Sequence, residues 1–393
     1  MNRYLKKLAN MADQKSRLIL GLMSGTSLDG LDIALCRISG SGVQTKLSIE
    51  YFETFGYSPD YKDAVKSVFS KRDADIQKVT VLNTVTASLH ARLILDALAR
   101  WKVNPGEIDC IASHGQTIYH APARFHGIAG YPNATLQIGD GDHIAVQTGI
   151  ITISDFRQKH IAAGGEGAPL ALYGDHILFS SECENRVLLN IGGISNFTFL
   201  PAGGRGKVMC SDLGPGNTLI DALAMKYFNS PYDSGGGLAR GGEVDKSLLH
   251  ELLSHPFFNE DLPKTTGPEL FNLNYLEDCM LRSGTTGLSP YDMLATASSL
   301  TAYAIAKGIE KALGDLHYKV YISGGGCHNV FLFEKIQELL PAIDIKPLKE
   351  LGTDPDAKEA ALFAILANET ICGSAVDTGG GPAVTMGKIS LPA

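Results

Sequence analysis

Arg17-Leu-Ile-Leu-Gly21, Met23-Ser-Gly-Thr-Ser-Leu-Asp-Gly30 and Leu31-Asp-Ile-Ala-Leu-Cys-Arg-Ile38 follow one another almost without a gap. An apolar run, a polar turn rich in glycine and hydroxyls, and a second apolar run read as strand, tight turn, strand. The same order returns in Arg186-Val-Leu-Leu-Asn190, Ile191-Gly-Gly-Ile-Ser-Asn196 and Phe197-Thr-Phe-Leu200. Two hairpins with polar glycine tips predict a duplicated architecture.

Between them, Val81, Val85, Leu89 and Leu93 recur every four residues over Lys78 to Arg100, which predicts a helix packed on a sheet through that stripe. It leads to Ile108-Asp-Cys-Ile-Ala112, a strand whose end delivers Ser113-His-Gly-Gln-Thr117 at the place where open α/β sheets present ligand groups. Later, Ala295 to Gly314 reads as a helix and Tyr318 to Ile322 as a strand; Ser323-Gly-Gly-Gly-Cys-His-Asn329 is its terminal loop, and Val330 to Leu340 the next helix. Alternating strands and helices in two copies predict an α/β protein of two similar domains facing a cleft. The expected division is 17–153 plus 375–393 for the first and 154–374 for the second. Residues 1–16 are expected to be a mobile or weakly helical extension; between Gly203 and Gly267 a helix is expected over Thr218 to Phe228, while Asp233-Ser-Gly-Gly-Gly237 and Arg240-Gly-Gly242 read as flexible loop, whether lid, insertion or connection.

The chain has 393 residues, 44% hydrophobic and 19% charged, enough to give two domains a core each. A net charge of −8 and no long basic block leave nothing for a phosphate backbone to bind, so no nucleic-acid partner is expected. The charged N-terminus lacks the apolar core of a signal peptide and no window spans a bilayer, which predicts a cytoplasmic protein without membrane contact. Seven scattered cysteines with no Cys-x-x-Cys pair suggest neither a zinc knuckle nor a disulfide framework.

The 43 glycines exceed the average share of about 7% and are bunched, as in turns that approach ligands closely. Glycine lets the backbone point N–H groups at a polyphosphate, and hydroxyls add donors. Gly25, Thr26 and Ser27 in the first turn, and Gly192, Gly193 and Asn196 in the second, are candidate phosphate grips; a plain hairpin turn is the alternative at each. No Walker motif is present, and Ser323 to Gly326 does not fit a dinucleotide fingerprint.

Seven stretches, taken together and in this order, resemble the anhydro-N-acetylmuramic acid kinase family: Gly21 to Gly30, Ser113 to Thr117, Gln137 to Asp140, Asp155 to Arg157, Ala163-Gly-Gly-Glu-Gly-Ala-Pro-Leu170, Asn190 to Asn196 and Asp212-Leu-Gly-Pro-Gly-Asn217. The resemblance implies an actin/hexokinase-like (ribonuclease H-like) fold. It also implies a cell-wall recycling enzyme that opens the 1,6-anhydro ring with water and moves the ATP γ-phosphate to O6. A homodimer is a further implication. Glu166 departs from the glutamine expected in many relatives, placing an additional negative charge near the sugar.

Such a reaction needs a base for water, and the resemblance assigns this to Asp212, although on its residues alone Asp212 also reads as a helix-entry cap. Phosphoryl transfer implies Mg²⁺. Its candidate ligands are Asp29 and Glu359, whose alternatives are a turn aspartate and a first-turn glutamate. For the sugar, Ser113, His114, Gln116 and Thr117 offer donors and acceptors, Arg157 offers a fork for the lactyl carboxylate, and Gly165 and Glu166 line the site by resemblance; a surface ion pair is the alternative for Arg157 and a satisfied structural histidine for His114. Gly324, Gly325, Gly326 and Asn329 are assigned to the nucleotide on the same ground. Two rivals remain at this point: an actin-fold kinase acting on another sugar or carboxylate, and a chaperone-like ATPase.

Overall fold

The computed structural model describes residues 2–204, 206–352, 354, 356–379 and 381–393. After a helix, Arg3–Asp13, the chain forms β1 (Ser16–Ser24), β2 (Gly30–Ser39), β3 (Lys46–Gly56), β4 (Cys110–Ala121), β5 (Ala134–Ile138) and β6 (Thr152–Ser154). Next come β7 (Arg186–Ile191), β8 (Ile194–Leu200), β9 (Met209–Pro215), β10 (Lys319–Ser323), β11 (Ile345–Pro347) and finally β12 (Lys388–Ser390). Met1–Leu178 with Asp356–Ala393 make one compact unit and Phe179–Pro355 another.

The first unit has the sheet order β12-β6-β4-β1-β2-β3, and the second β11-β10-β7-β8-β9. In the first, β1 is antiparallel to β2 and parallel to β4; in the second, β7 is antiparallel to β8 and parallel to β10. Both sheets thus start from a hairpin, add a third antiparallel strand on one side and build parallel strands on the other. That is the duplication expected from the two glycine-tipped hairpins.

β1 lies between two neighbours and is covered on both faces, so Leu18, Ile19, Leu20 and Leu22 form one buried run without alternation. The helix Lys358–Cys372 passes so close to it that a Cβ at Gly21 would overlap the carbonyl oxygen of Ala360. Helix Ile76–Trp101 starts where the Asp75 side chain accepts from the amides of Gln77 and Lys78. Its core face is Val79, Leu82, Ala87, Ile94 and Leu98; of the expected stripe Leu89 and Leu93 pack against that core half-buried, while Val81 and Val85 are 56% and 44% exposed. A strict four-residue repeat drifts around a helix of 3.6 residues per turn, and only alternating steps of three and four stay on one side.

Further expectations shift. The strand expected to end at Ala112 continues: β4 runs through Ser113 to Thr117, with Gly115 in a left-handed conformation and β5 paired to its distal half. Residues 3–13 are helical, with Met11 fully buried and the Lys7 ammonium donating to the Ile108 carbonyl. The unit boundaries fall at 178/179 and 355/356 instead of 153/154 and 374/375. Phe156 packs at a tilt against Phe363, and Leu362 abuts Gly174, so both flanking segments belong to the first core.

Within the second unit, Val187, Leu189, Ile191 and Phe197 pack on helices Pro290–Leu313 and Val330–Leu339. Helix Thr218–Phe228 lies where expected and is joined by helix Lys246–Leu253, and their Leu219, Leu223, Leu248 and Leu252 are buried together. Asp233 is buried and accepts from the amides of Leu238 and Ala239, which fixes the glycine-rich turn beside it. Among the described residues no helix is long and apolar enough to cross a membrane.

Candidate active-site loops

In the first unit the β1–β2 connection closes as a turn in which the Leu28 amide donates to the Gly25 carbonyl at 3.3 Å. Leu28 has φ +60°. A left-handed leucine costs roughly 1–2 kcal/mol, but its side chain is 2% exposed in the core, and burying a leucine returns about 1.5–3 kcal/mol. The anchored turn leaves Thr26, Ser27 and Asp29 exposed.

Carboxylates gather near this turn. Asp29 and Asp356 act on Asp32, whose pKa is raised mainly by burial, with a hydrogen bond from Thr54 at 2.6 Å opposing the rise. Glu359, at the start of helix Lys358–Cys372, is also raised, first by burial and next by Asp32, while Lys358 and Arg157 oppose. Asp32 was missed by sequence reasoning; its signal was a charge inside the apolar run of β2. No group of three or more His, Cys, Asp or Glu side chains converges as a metal cage among the described residues.

Of the residues expected to touch a sugar, Ser113, His114 and Gln116 are buried; His114 and Gln116 bond to neighbours inside the unit, whereas the Ser113 hydroxyl meets no partner among the described residues. The Arg157 Nε donates to His114 Nε2 at 3.1 Å, and its Nη1 to the Gly167 carbonyl at 2.7 Å. Burial, and after it Arg157, pushes the His114 pKa down to about 3; burial brings Arg157 down to about 10, with Glu359 opposing. A neutral His114 is the acceptor that this geometry requires. Thr117 is half-buried and accepts from Gln137 at 3.2 Å. The Gly165 carbonyl accepts from Asn133, and Glu166 receives Arg124 through both oxygens at 2.9 and 3.2 Å, so its extra charge is already countered.

In the second unit, strand register does the assembly. Ser323 of β10 pairs with Asn190 of β7, Asn190 with Asn196 of β8, and Asn196 with Asp212 of β9, which places a row of polar side chains across four strands. At the hairpin tip the Gly192 and Gly193 carbonyls accept from the amides of Asn217 and Gly216 at 2.8 Å each, tying the tip to the start of helix Thr218–Phe228. Gly324 has φ +83° and lies against the Ile191 carbonyl and Asn190, where no Cβ would fit; Gly326 abuts Ile191.

Asp212 is half-buried in β9, not at a helix entry. Its Oδ2 accepts from the Thr266 amide at 2.9 Å, and burial raises its pKa against that bond. No protein donor reaches Oδ1 among the hydrogen bonds of the described residues. Asn329, by contrast, is buried with its Oδ1 on the Leu332 amide at 3.0 Å, capping helix Val330–Leu339. The structure thus brings Gly192, Gly193, Asn196, Asp212 and the Gly324–Gly326 turn together, and gives Asn329 a local capping bond.

The two units share one five-strand plan, each with a glycine turn flanked by carboxylate and amide side chains, as expected of an actin/hexokinase-like kinase. The model of the family "Anhydro-N-acetylmuramic acid kinase" matches residues 17–390. A curated relative of that name from Pseudoalteromonas atlantica is 52% identical, with all of both chains covered. One from Caldanaerobacter subterraneus is 39% identical over 98% of this chain and 100% of its own. A solved activator of 2-hydroxyisocaproyl-CoA dehydratase from Clostridium difficile, holding ADPNP, aligns at 12% identity and TM-score 0.43 over 90% of this chain and 96% of its own. The chain belongs to the anhydro-N-acetylmuramic acid kinase family.

Proposed function

We propose that the protein transfers the γ-phosphoryl group of ATP to O6 of 1,6-anhydro-N-acetylmuramic acid while water opens the anhydro bridge, giving N-acetylmuramic acid 6-phosphate. The observation that carries the reading is Asp212: a carboxylate fixed through Oδ2 by a backbone amide, with Oδ1 left for a proton and a pKa raised toward the range of a useful base. Oδ1 takes the proton of a water molecule as the water oxygen bonds to the anomeric carbon. The bond from that carbon to O6 breaks, and O6 takes the γ-phosphoryl group as ADP leaves. No free alkoxide has to survive.

The exposed Thr26 and Ser27 with the Gly25 turn, and the Gly192–Gly193 tip with Asn196, are the proposed grips for phosphate oxygens, with the Gly324–Gly326 turn toward the nucleoside. Asp29 and Glu359 are the proposed protein ligands of Mg²⁺, which would supply charge neutralisation on the phosphates; the ion commonly rests on one or two carboxylates plus phosphates and water. Arg157, steadied by His114 and Gly167, is the proposed partner of the lactyl carboxylate, and Thr117, Gly165 and Glu166 are the further proposed sugar contacts. We place the activity in the cytoplasm, with a homodimer as the proposed assembly.

The test mixes protein, Mg-ATP and the anhydro sugar in heavy-oxygen water. A 6-phosphate product carrying one solvent oxygen supports the reading; ADP release without that product overturns it.

A further inference from the structure

Beneath the β1–β2 turn runs a chain of buried polar groups that no step above uses. Gln116 is fully buried, and its Nε2 faces two carbonyls, Gly25 at 3.3 Å and Thr117 at 3.4 Å. Carbonyls only accept, so the amide orientation is fixed with Oε1 toward Ser24 Oγ at 2.5 Å. An amide oxygen also only accepts, so the single Ser24 hydroxyl proton goes to Gln116. The Tyr57 hydroxyl, 2.7 Å from Ser24 Oγ, must then donate to it, and His90 Nε2, 2.9 Å from the tyrosine oxygen, must donate in turn. The proton of His90 therefore sits on Nε2, which agrees with its bare, unpaired Nδ1 and with a pKa pushed down to about 4 by burial. Every bond in the series points the same way, from helix Ile76–Trp101 to the turn.

We propose that Gln116, held in orientation by Ser24, Tyr57 and His90, is a positioning residue for nucleotide binding: it fixes the Gly25 carbonyl and with it the Gly25–Leu28 turn that takes ATP phosphates. The Gly25 carbonyl accepts from both Gln116 and the Leu28 amide, so the side chain and the buried leucine hold the turn from below while Thr26 and Ser27 stay exposed. This replaces the direct sugar contact expected for Gln116. It rests on the assignment of the turn to ATP phosphates.

Three variants separate the possibilities. Gln116→Glu keeps an acceptor for Ser24 but puts a carboxylate against the Gly25 carbonyl, and is expected to raise KM for ATP about tenfold, the usual scale for losing a supporting residue, with KM for the sugar unchanged. Tyr57→Phe keeps the ring against Tyr61 and breaks the series upstream, and is expected to raise KM for ATP in the same direction by less. Ser27→Ala tests the turn itself. If Ser27→Ala raises KM for ATP while the other two leave it alone, the positioning proposal fails and the turn assignment stands; if none of the three moves it, both fail. A Gln116→Glu effect on KM for the sugar alone would restore the direct contact and overturn the proposal. A fall in melting temperature with both KM values unchanged would show a purely structural network and overturn it as well.

Discussion

Asn196 and Asp212 are direct cross-strand partners on β8 and β9, and a register shift just before Asn196 puts them opposite one another. The shift leaves Leu213 as the extra residue on β9, and its side chain is buried in the core against Gly308. A bulge of this kind re-aims a side chain. Here it sets the carboxylate beside an amide in the polar row.

Asp212→Asn is expected to lower kcat by about 10²–10⁴-fold, the usual contribution of a general base, with ATP binding retained. The asparagine oxygen can still accept from Thr266, and the cost of a half-buried charge disappears, so the melting temperature should hold or rise. Because the wild-type pKa is raised, activity should fall with decreasing pH above the ordinary carboxylate range. Steady-state kinetics across pH and a thermal melt check all of this.

Asn329→Ala is expected to cost about 1 kcal/mol of stability through loss of the helix cap, read as a lower melting temperature with KM for ATP unchanged. A raised KM for ATP without a change in melting would assign the side chain to the nucleotide instead.

Glu166→Gln is expected to alter stability by well under 1 kcal/mol, because its partner Arg124 is half exposed and surface pairs contribute little. Its charge is already answered by Arg124, so KM for the anhydro sugar should change less than about threefold. A larger change would make this position a determinant of selectivity.

His90 and His114 are both held neutral by burial, with pKa values near 4 and 3. The unfolded chain binds protons at both from about pH 6.5 downward, while the folded chain does not. Stability is therefore full above that pH and falls as pH drops, by about 1.4 kcal/mol per pH unit for each histidine until the folded values are reached. Urea unfolding between pH 7 and 5 checks the slope, and His90→Asn should reduce it by the share of one histidine.

The hairpins and most helices were legible because their signals are local: apolar runs cut by Ser-Gly-Thr-Ser and Gly-Gly, and a helix from Thr218 that sits where expected. What was not legible depends on which neighbour a residue meets. Ser113 to Thr117 has the look of a polar strand end, yet β5 and β1 pair with it as strand. Gln116 looks like a ligand group until its two ends are seen to be taken by Ser24 and Gly25. Asp32 left one trace, a charge inside an apolar run, but its coupling to Asp29 and to Glu359, which lies more than 300 residues further along, depends on the fold. Asn329 shows the reverse: its capping role lay in the sequence, as an asparagine immediately before a helical run.

The seat of helix Lys358–Cys372 against Gly21 has a consequence for how the protein is made. The first strand to leave the ribosome waits for one of the last helices before its buried face is covered, whereas everything the second unit needs is synthesised in a single uninterrupted stretch. Domains generally fold as units while the chain grows, so the second unit should reach its native form first during translation. A release of the nascent chain before residue 356 should leave the second unit folded and the first one open to proteolysis.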